Sequence, residues 1–330
     1  MKITIRAAGN QWLVYAAVLG FTVCASVVWA CQVPVFRYAL ERWTPERYPV
    51  VVITKEALSE NERQKWLGDY ASRLDSQVQI QWKNSSELAS VEERDVWKRF
   101  AENDIGVVMT YYPEKSDMRG TVAHATKLDV GSFETMLTSP ARQEIAKRLS
   151  AGESAVWVLL RSGNAAADMA AQNAIETQLA LDEEWLKLPS AEEMEIKPEI
   201  LSSVSIKLKV DFSVLSISRE DPKEKFLVDC LLNSESDLQA FPEPIAFPVF
   251  GRGLVLYALV GKGINSDTVR AASSFICGPC SCQVKEQNPG FDLLLEHDWS
   301  NSLGSVFISQ PIPGVGSQPK LLQIPPGRKK

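Results

Sequence analysis

The chain has 330 residues, 45% of them apolar, enough to fill the cores of two domains of ordinary size, and this excludes a disordered protein. Basic side chains number 35 against 41 acidic ones; without Lys2 and Arg6 the body beyond residue 30 holds 33 against 41, a net-acidic balance that argues against a nucleic-acid partner. The two histidines, His124 and His297, leave little material for histidine triads or imidazole-rich metal sites.

The N-terminus carries Lys2 and Arg6 and then, from Trp12 to Ala30, nineteen residues without a charge. That length is nearer a membrane-spanning helix, which needs about 20 residues, than a signal-peptide core of about 7 to 15. Val28-Trp29-Ala30 permits signal cleavage before Cys31, and Cys31 is also a candidate for lipidation, although Trp29 departs from the small or β-branched residue of a bacterial lipobox. Retention as an anchor, cleavage and lipidation all stay open. Each puts the body outside the membrane, because the positive residues precede the apolar segment. The expected location is therefore the bacterial cell envelope, at the outer face of the cytoplasmic membrane or in the periplasm.

A short amphipathic stretch, Val35 to Trp43, leads to the β-branched run Val50 to Ile53, which predicts a buried strand. Ser59 and Glu62 form a capping box for a helix whose apolar face is Trp66, Leu67, Tyr70 and Leu74. Val78, Ile80 and Trp82 alternate with glutamines, the period of a half-buried strand. A helix from Val91 to Ala101 follows, then strands at Gly106 to Tyr112 and Thr121 to Leu128, then a helix from Phe133 to Leu149. The order is β-α-β-α-β-β-α.

Residues 155 to 276 repeat that order. Val156 to Leu160 predicts a buried strand, Asn164 caps a helix reaching Leu188, and Ser190 to Ser203 is a polar insertion. A strand spans Val210 to Ile217, and Asp221-Pro222-Lys223-Glu224 supplies an N-cap, a proline at the first helical position and an acid at the third. Ile245 to Phe250 and Leu254 to Val260 predict a hairpin across Gly251-Arg252-Gly253. Asn265 or Ser266 opens a last helix with Val269, Ala272 and Ile276 inward, ended by Gly278 and Pro279.

Two successive units of this order resemble tandem thioredoxin-like domains, as in relatives of protein disulfide isomerase. The stretch Glu243 to Gly253 resembles that family's proline-led strand and glycine turn, with Pro244 or Pro248 in the place of its cis-proline. The expected organisation is a signal or anchor at 1–31, thioredoxin-like domains at 45–152 and 153–277, a cysteine-bearing extension at 278–308 and a disordered Pro/Gly tail at 309–330. The phrases Cys31 to Tyr38 and Gly278 to Lys285 also resemble an uncharacterised family of exported bacterial proteins, which implies no known activity.

A thioredoxin-type centre needs Cys-x-x-Cys at the N-terminus of the first helix, where the helix dipole favours the thiolate. The corresponding segments, Thr54-Lys55-Glu56-Ala57 and Ser162-Gly163-Asn164-Ala165, contain no cysteine. Cys277-Gly278-Pro279-Cys280 has the thioredoxin letters, with Cys282 beyond, but it follows a predicted helix, where the dipole disfavours a thiolate. A structural disulfide, a metal site at Cys277, Cys280 and Cys282, and a redox pair at Cys277 and Cys280 are the alternatives. A metal there would need a fourth ligand, and His297 sits in Glu296-His297-Asp298, which is more simply a surface run. Cys230 is expected as a buried thiol, His124 as a half-buried strand residue, Trp66, Trp82, Trp97 and Trp157 as core, and Asp182-Glu183-Glu184 and Glu192-Glu193-Glu195 as solvated surface. No phosphate-cradling loop is present.

The expected function is a non-enzymatic binding or scaffold protein on the outer face of the cytoplasmic membrane, without a cofactor. The resemblance implies binding of an extracytoplasmic peptide or protein near Pro244 and Pro248. The competing expectation is a thiol oxidoreductase or metal-handling protein using Cys277, Cys280 and Cys282.

Overall fold

Each of the two apolar runs lies inside a mixed α/β sheet, flanked on both sides by other strands. The computed structural model describes residues 32–100, 105–279, 285 and 290–310. Its first part consists of α1 (Val35–Arg42), β1 (Tyr48–Thr54), α2 (Glu60–Leu67), α3 (Ala71–Gln77), β2 (Val78–Asn84), α4 (Val91–Phe100), β3 (Gly106–Tyr111), β4 (Val122–Lys127), α5 (Ser132–Leu137) and α6 (Pro140–Ser150). The second has β5 (Ala155–Arg161), α7 (Ala165–Trp185), α8 (Pro198–Ser203), β6 (Phe212–Ser218), α9 (Lys225–Leu232), β7 (Ile245–Phe250), β8 (Leu254–Val255), β9 (Leu259–Val260) and α10 (Ser266–Cys277). Then come β10 (Phe291–Asp292) and α11 (Trp299–Leu303).

The first sheet has the order β2-β1-β3-β4, with β1 parallel to β2 and antiparallel to β3, and β3 antiparallel to β4. The second repeats it as β6-β5-β7-β8, extended by β10 beyond β8 and by β9 on β7. Val50–Ile53 and Val156–Leu160 lie in separate sheets.

Alternation along the central strands sorts their side chains between layers. Val50 and Val52 face a core shared with Val156, Val158 and Leu160 of the second sheet, filled from α5, α6 and α9 by Phe133, Ile145 and Leu227. Val51 and Ile53 face the opposite way, into a small cluster with Val96 of α4. Trp157 and Leu159 point to the far side of the second sheet, where α7, α10 and α1 pack. The layers run α4, first sheet, shared helices, second sheet, outer helices.

Several predicted elements are interrupted, each for a local reason. Ser59 and Glu62 do form the capping box, but Gly68 at φ +50° breaks the helix and a 3₁₀ turn separates α2 from α3. The helix expected from Phe133 to Leu149 is two, because Ser139 caps a new start with Pro140 in the first turn. Asp221 accepts from Lys223 N–H, yet Pro222–Glu224 is a 3₁₀ turn and α9 begins at Lys225. The strand expected from Leu254 to Val260 is split into β8 and β9. The insertion at 190–203 carries α8, opened by Pro198.

Two expectations about burial are corrected. The stretch Val35 to Trp43 is buried almost all round as α1, with Arg37 and Glu41 paired at 2.7 Å and only Arg42 partly open. Asp182 is not solvated surface: it is fully buried on α7 and accepts from Gln178 at 2.7 Å and from Arg270 at 2.9 Å. Glu183 and Glu184 are exposed as expected. Trp157 is wholly buried, Trp66, Trp82 and Trp97 are half-buried, and Cys230 is a buried free thiol.

No helix among the described residues is long and apolar enough to cross a membrane. The segment Trp12 to Ala30, Cys31 and the tail from residue 311 lie outside the described residues.

Candidate functional site

The strand-and-turn patterns put two loops where the resemblance expects redox centres, and both are occupied by the protein's own polar groups. After β5, Asp168 Oδ1 accepts from Ser162 N–H and Ser162 Oγ, each at 2.7 Å, and its Oδ2 accepts from Gly163 N–H at 3.1 Å. Asn164 Oδ1 takes the amides of Ala166 and Ala167 at the start of α7. The donors that would stabilise a thiolate or anion there already have partners. After β1, Thr54 Oγ1 donates to Glu56 O at 2.6 Å and Lys55 N–H to Ile105 O at 3.4 Å.

Cys277 is the last residue of α10. It is a free thiol, 6% exposed, and Cys280, its expected partner in a disulfide, lies outside the described residues. Burial, opposed by a hydrogen bond with Ser154 and reinforced by the charge of Asp182, pushes this thiol up to about 12. It forms part of the wall of a groove of about 680 Å³ with Trp185, Leu188 and Pro189. Among the described residues no three His, Cys, Asp or Glu side chains gather as a metal-ligand set; Cys280 and Cys282 lie outside them. His297 Nε2 is 2.7 Å from Ser302 Oγ and its ring packs on Trp299, while Glu296 forks onto Arg73 at 2.5 and 2.7 Å, so this run is engaged rather than simply solvated.

Pro244 and Pro248 are both buried, and no peptide bond among the described residues is cis. Pro248 lies within β7 opposite Trp157, and Pro244 lies just before β7, its carbonyl accepting from Gly261 N–H at 2.9 Å. Arg219 covers the approach to that strand: Nη1 donates to Phe241 O at 2.7 Å and Nη2 to Glu243 O. Its Nε is buried with no partner among the described residues.

A cleft of about 910 Å³ opens where the edge of the first sheet meets α9 of the second unit. Its walls are α4, with Glu92, Asp95, Val96, Arg99 and Phe100, and α9, with Lys225, Val228, Asp229 and Leu232; Val122 and Ala125 of β4 lie between them. Arg219 and Asp221 also line it. Acidic and basic groups mix over an apolar floor, as in sites that bind polar chains through a few oriented contacts.

Four hydrogen bonds fix the geometry of this cleft. His124 Nδ1 of β4 is 2.7 Å from Asp229 Oδ2, and Lys225 also pairs with that carboxylate. Tyr112 Oη donates to Cys230 O at 2.5 Å, and Asn233 Nδ2 donates to Ala123 O at 2.9 Å. Burial opposes ionisation of Asp229, but the hydrogen bonds and charges of His124 and Lys225 outweigh it and hold the carboxyl below the usual carboxylate range. His124 is thus buried against the Asp229 carboxylate, and not simply as one more strand side chain. Nearby, Glu224 reaches across to the first unit, accepting from Ser139 Oγ at 2.5 Å and from Ala141 N–H at 2.7 Å at the start of α6. Apart from the i,i+4 pair of Lys225 with Asp229, none of these pairings had a local signal, since the partners lie 83 to 118 residues apart.

No protein-family model matches the chain, and no curated protein matches it.

Proposed function

We propose that the chain is a non-catalytic binding module of two thioredoxin-like units, held at the outer face of a bacterial cytoplasmic membrane. In support, the four-strand order of the first sheet, β2-β1-β3-β4, recurs in the second as β6-β5-β7-β8, there with β9, β10 and α8 added. The observation that carries the reading is the state of the two loops after β1 and β5, which bear no thiol and, after β5, spend their amides on Asp168 and Asn164. The binding surface is the cleft between α4 and α9, with an extracytoplasmic peptide or protein as its partner. Thiol chemistry at Cys277 runs against that residue's burial and its place at a helix C-terminus.

The test has two parts. Insulin reduction by the full-length protein should stay at background, and turnover that vanishes in Cys277→Ser with Cys280→Ser would replace this reading by the oxidoreductase one. Protease added to intact spheroplasts should digest the body; full protection would remove the membrane placement.

A further inference from the structure

Strand β4 is the outer edge of the first sheet. Leu128 N–H donates to Gly106 O at 2.9 Å, which makes that pair hydrogen-bonded in the register Val107↔Lys127. Hydrogen-bonded and non-bonded pairs alternate along an antiparallel ladder. The Met109/Ala125 and Val107/Lys127 pairs are therefore the non-bonded ones, and the N–H and C=O of Ala125 and Lys127 point off the edge. Two contacts agree with this parity: Ser132 Oγ donates to Lys127 O at 2.7 Å, and Asn233 Nδ2 donates to Ala123 O. Between those satisfied carbonyls, Ala125 presents both its N–H and its C=O with no partner among the described residues, and it does so as a lining residue of the cleft.

An adjacent donor and acceptor on one residue, about 4.8 Å from where a further strand would run, fit the backbone of an extended polypeptide. We propose that the cleft takes an extended peptide segment by strand addition to β4, one residue of the segment exchanging both backbone hydrogen bonds with Ala125. The proposal rests on the binding-module reading and adds its ligand class and mode. A strand in this place continues the two faces of the sheet, so its side chains alternate between Val96 and Phe100 of α4 and Val228 and Leu232 of α9. Successive residues then meet apolar side chains on both sides, and Arg219 and Asp221, which also line the cleft, can hold polar termini or side chains.

The probe is a phage-displayed library of random peptides of about ten residues, panned against the full-length protein in detergent. Selected peptides are expected to slow amide hydrogen exchange at Ala125 and to lose about tenfold or more in affinity for Ala125→Pro. Proline there deletes the outward N–H and leaves the β3–β4 ladder intact, as edge positions allow. Methylating single peptide nitrogens gives a second measurement that does not depend on this variant folding: one methylated position should weaken binding as strongly, and its neighbours should not. Peptides that bind without protecting residues 122–127 and without a methylation-sensitive position would overturn strand addition and leave the module reading standing. A library that yields no binder would overturn both. Protection of Ala125 in a dimer before any peptide is added would also overturn it, by assigning the edge to a second copy of the chain.

Discussion

Asp229 on α9 holds His124 on β4 at 2.7 Å, and this pair joins two sheets that share no ladder of backbone hydrogen bonds. Either partner left alone is a polar group out of water without its complement, which costs about 1 to 3 kcal/mol. His124→Ala and Asp229→Asn are each expected to lower unfolding free energy by that amount in urea titrations. The double variant should lose less than the sum, with a coupling of about 0.5 kcal/mol or more. Strict additivity would show that the two side chains do not act as a pair.

Acid should act on the same contact. The folded carboxyl of Asp229 is held below the usual range, whereas an unfolded aspartate titrates near about pH 3.9. Its contribution is therefore complete above that pH and is lost as the pH falls through the lower folded value. The stability gap between wild type and Asp229→Asn, followed from pH 5.5 to 2.5, is expected to hold at first and to narrow below about pH 4. A gap that widens in acid would contradict the assignment.

Cys277, with its thiol pushed up to about 12, is almost entirely un-ionised at neutral pH, and only the thiolate attacks alkylating reagents. Burial likewise pushes the Cys230 thiol up. Iodoacetamide at pH 8 should leave both unmodified in the folded protein and label them after unfolding, as read by peptide mass spectrometry. Rapid native labelling of Cys277 would restore thiol chemistry as a serious reading.

Arg142 is 2% exposed, and burial lowers its ionisation to about 10. Its guanidinium donates to Met136 O at 2.7 Å, Thr135 O at 2.5 Å and Leu294 O at 3.2 Å, and lies over the Phe226 ring at 4.6 Å. Arg142→Leu leaves the buried carbonyls of Met136 and Leu294 without this donor. A loss of about 3 kcal/mol or more is expected in chemical denaturation. Under about 1 kcal/mol would mean that water reaches them.

The sequence discloses what is written locally. Val50–Ile53 and Val156–Leu160 stand out because a strand buried on both faces has no polar alternation to hide it, and the capping boxes at Ser59 and Asn265 are legible within four residues. Asp182 and Arg142 misled or escaped notice because a buried charge looks like a surface charge until its partner is known, and Arg270 lies 88 residues from Asp182. The cleft was invisible for the same reason: His124 and Asp229 are ordinary residues on a strand and a helix, and only the docking of one unit on the other makes them neighbours. Helix breaks at Gly68 and Ser139 were missed because the apolar spacing continues across them.

The helix Val35–Arg42 comes before the first sheet in the chain but completes the second. Gly278 O holds Val35 N–H at 2.9 Å, Arg252 Nε donates to Leu40 O across 212 residues, and Glu41 takes the amides of Ile308 and Ser309 and the Ser309 hydroxyl. A fragment cut at residue 45 would uncover the part of this layer formed by β7, its Gly251 turn and α10, where that helix belongs. Timing follows as well. As the chain is delivered from its N-terminus, Val35–Arg42 must wait for partners as far as 268 residues on, among them Arg252, Ile308 and Ser309. A protein stalled before residue 309 would lack the Ile308 and Ser309 amides that Glu41 takes, and would carry an open seam there.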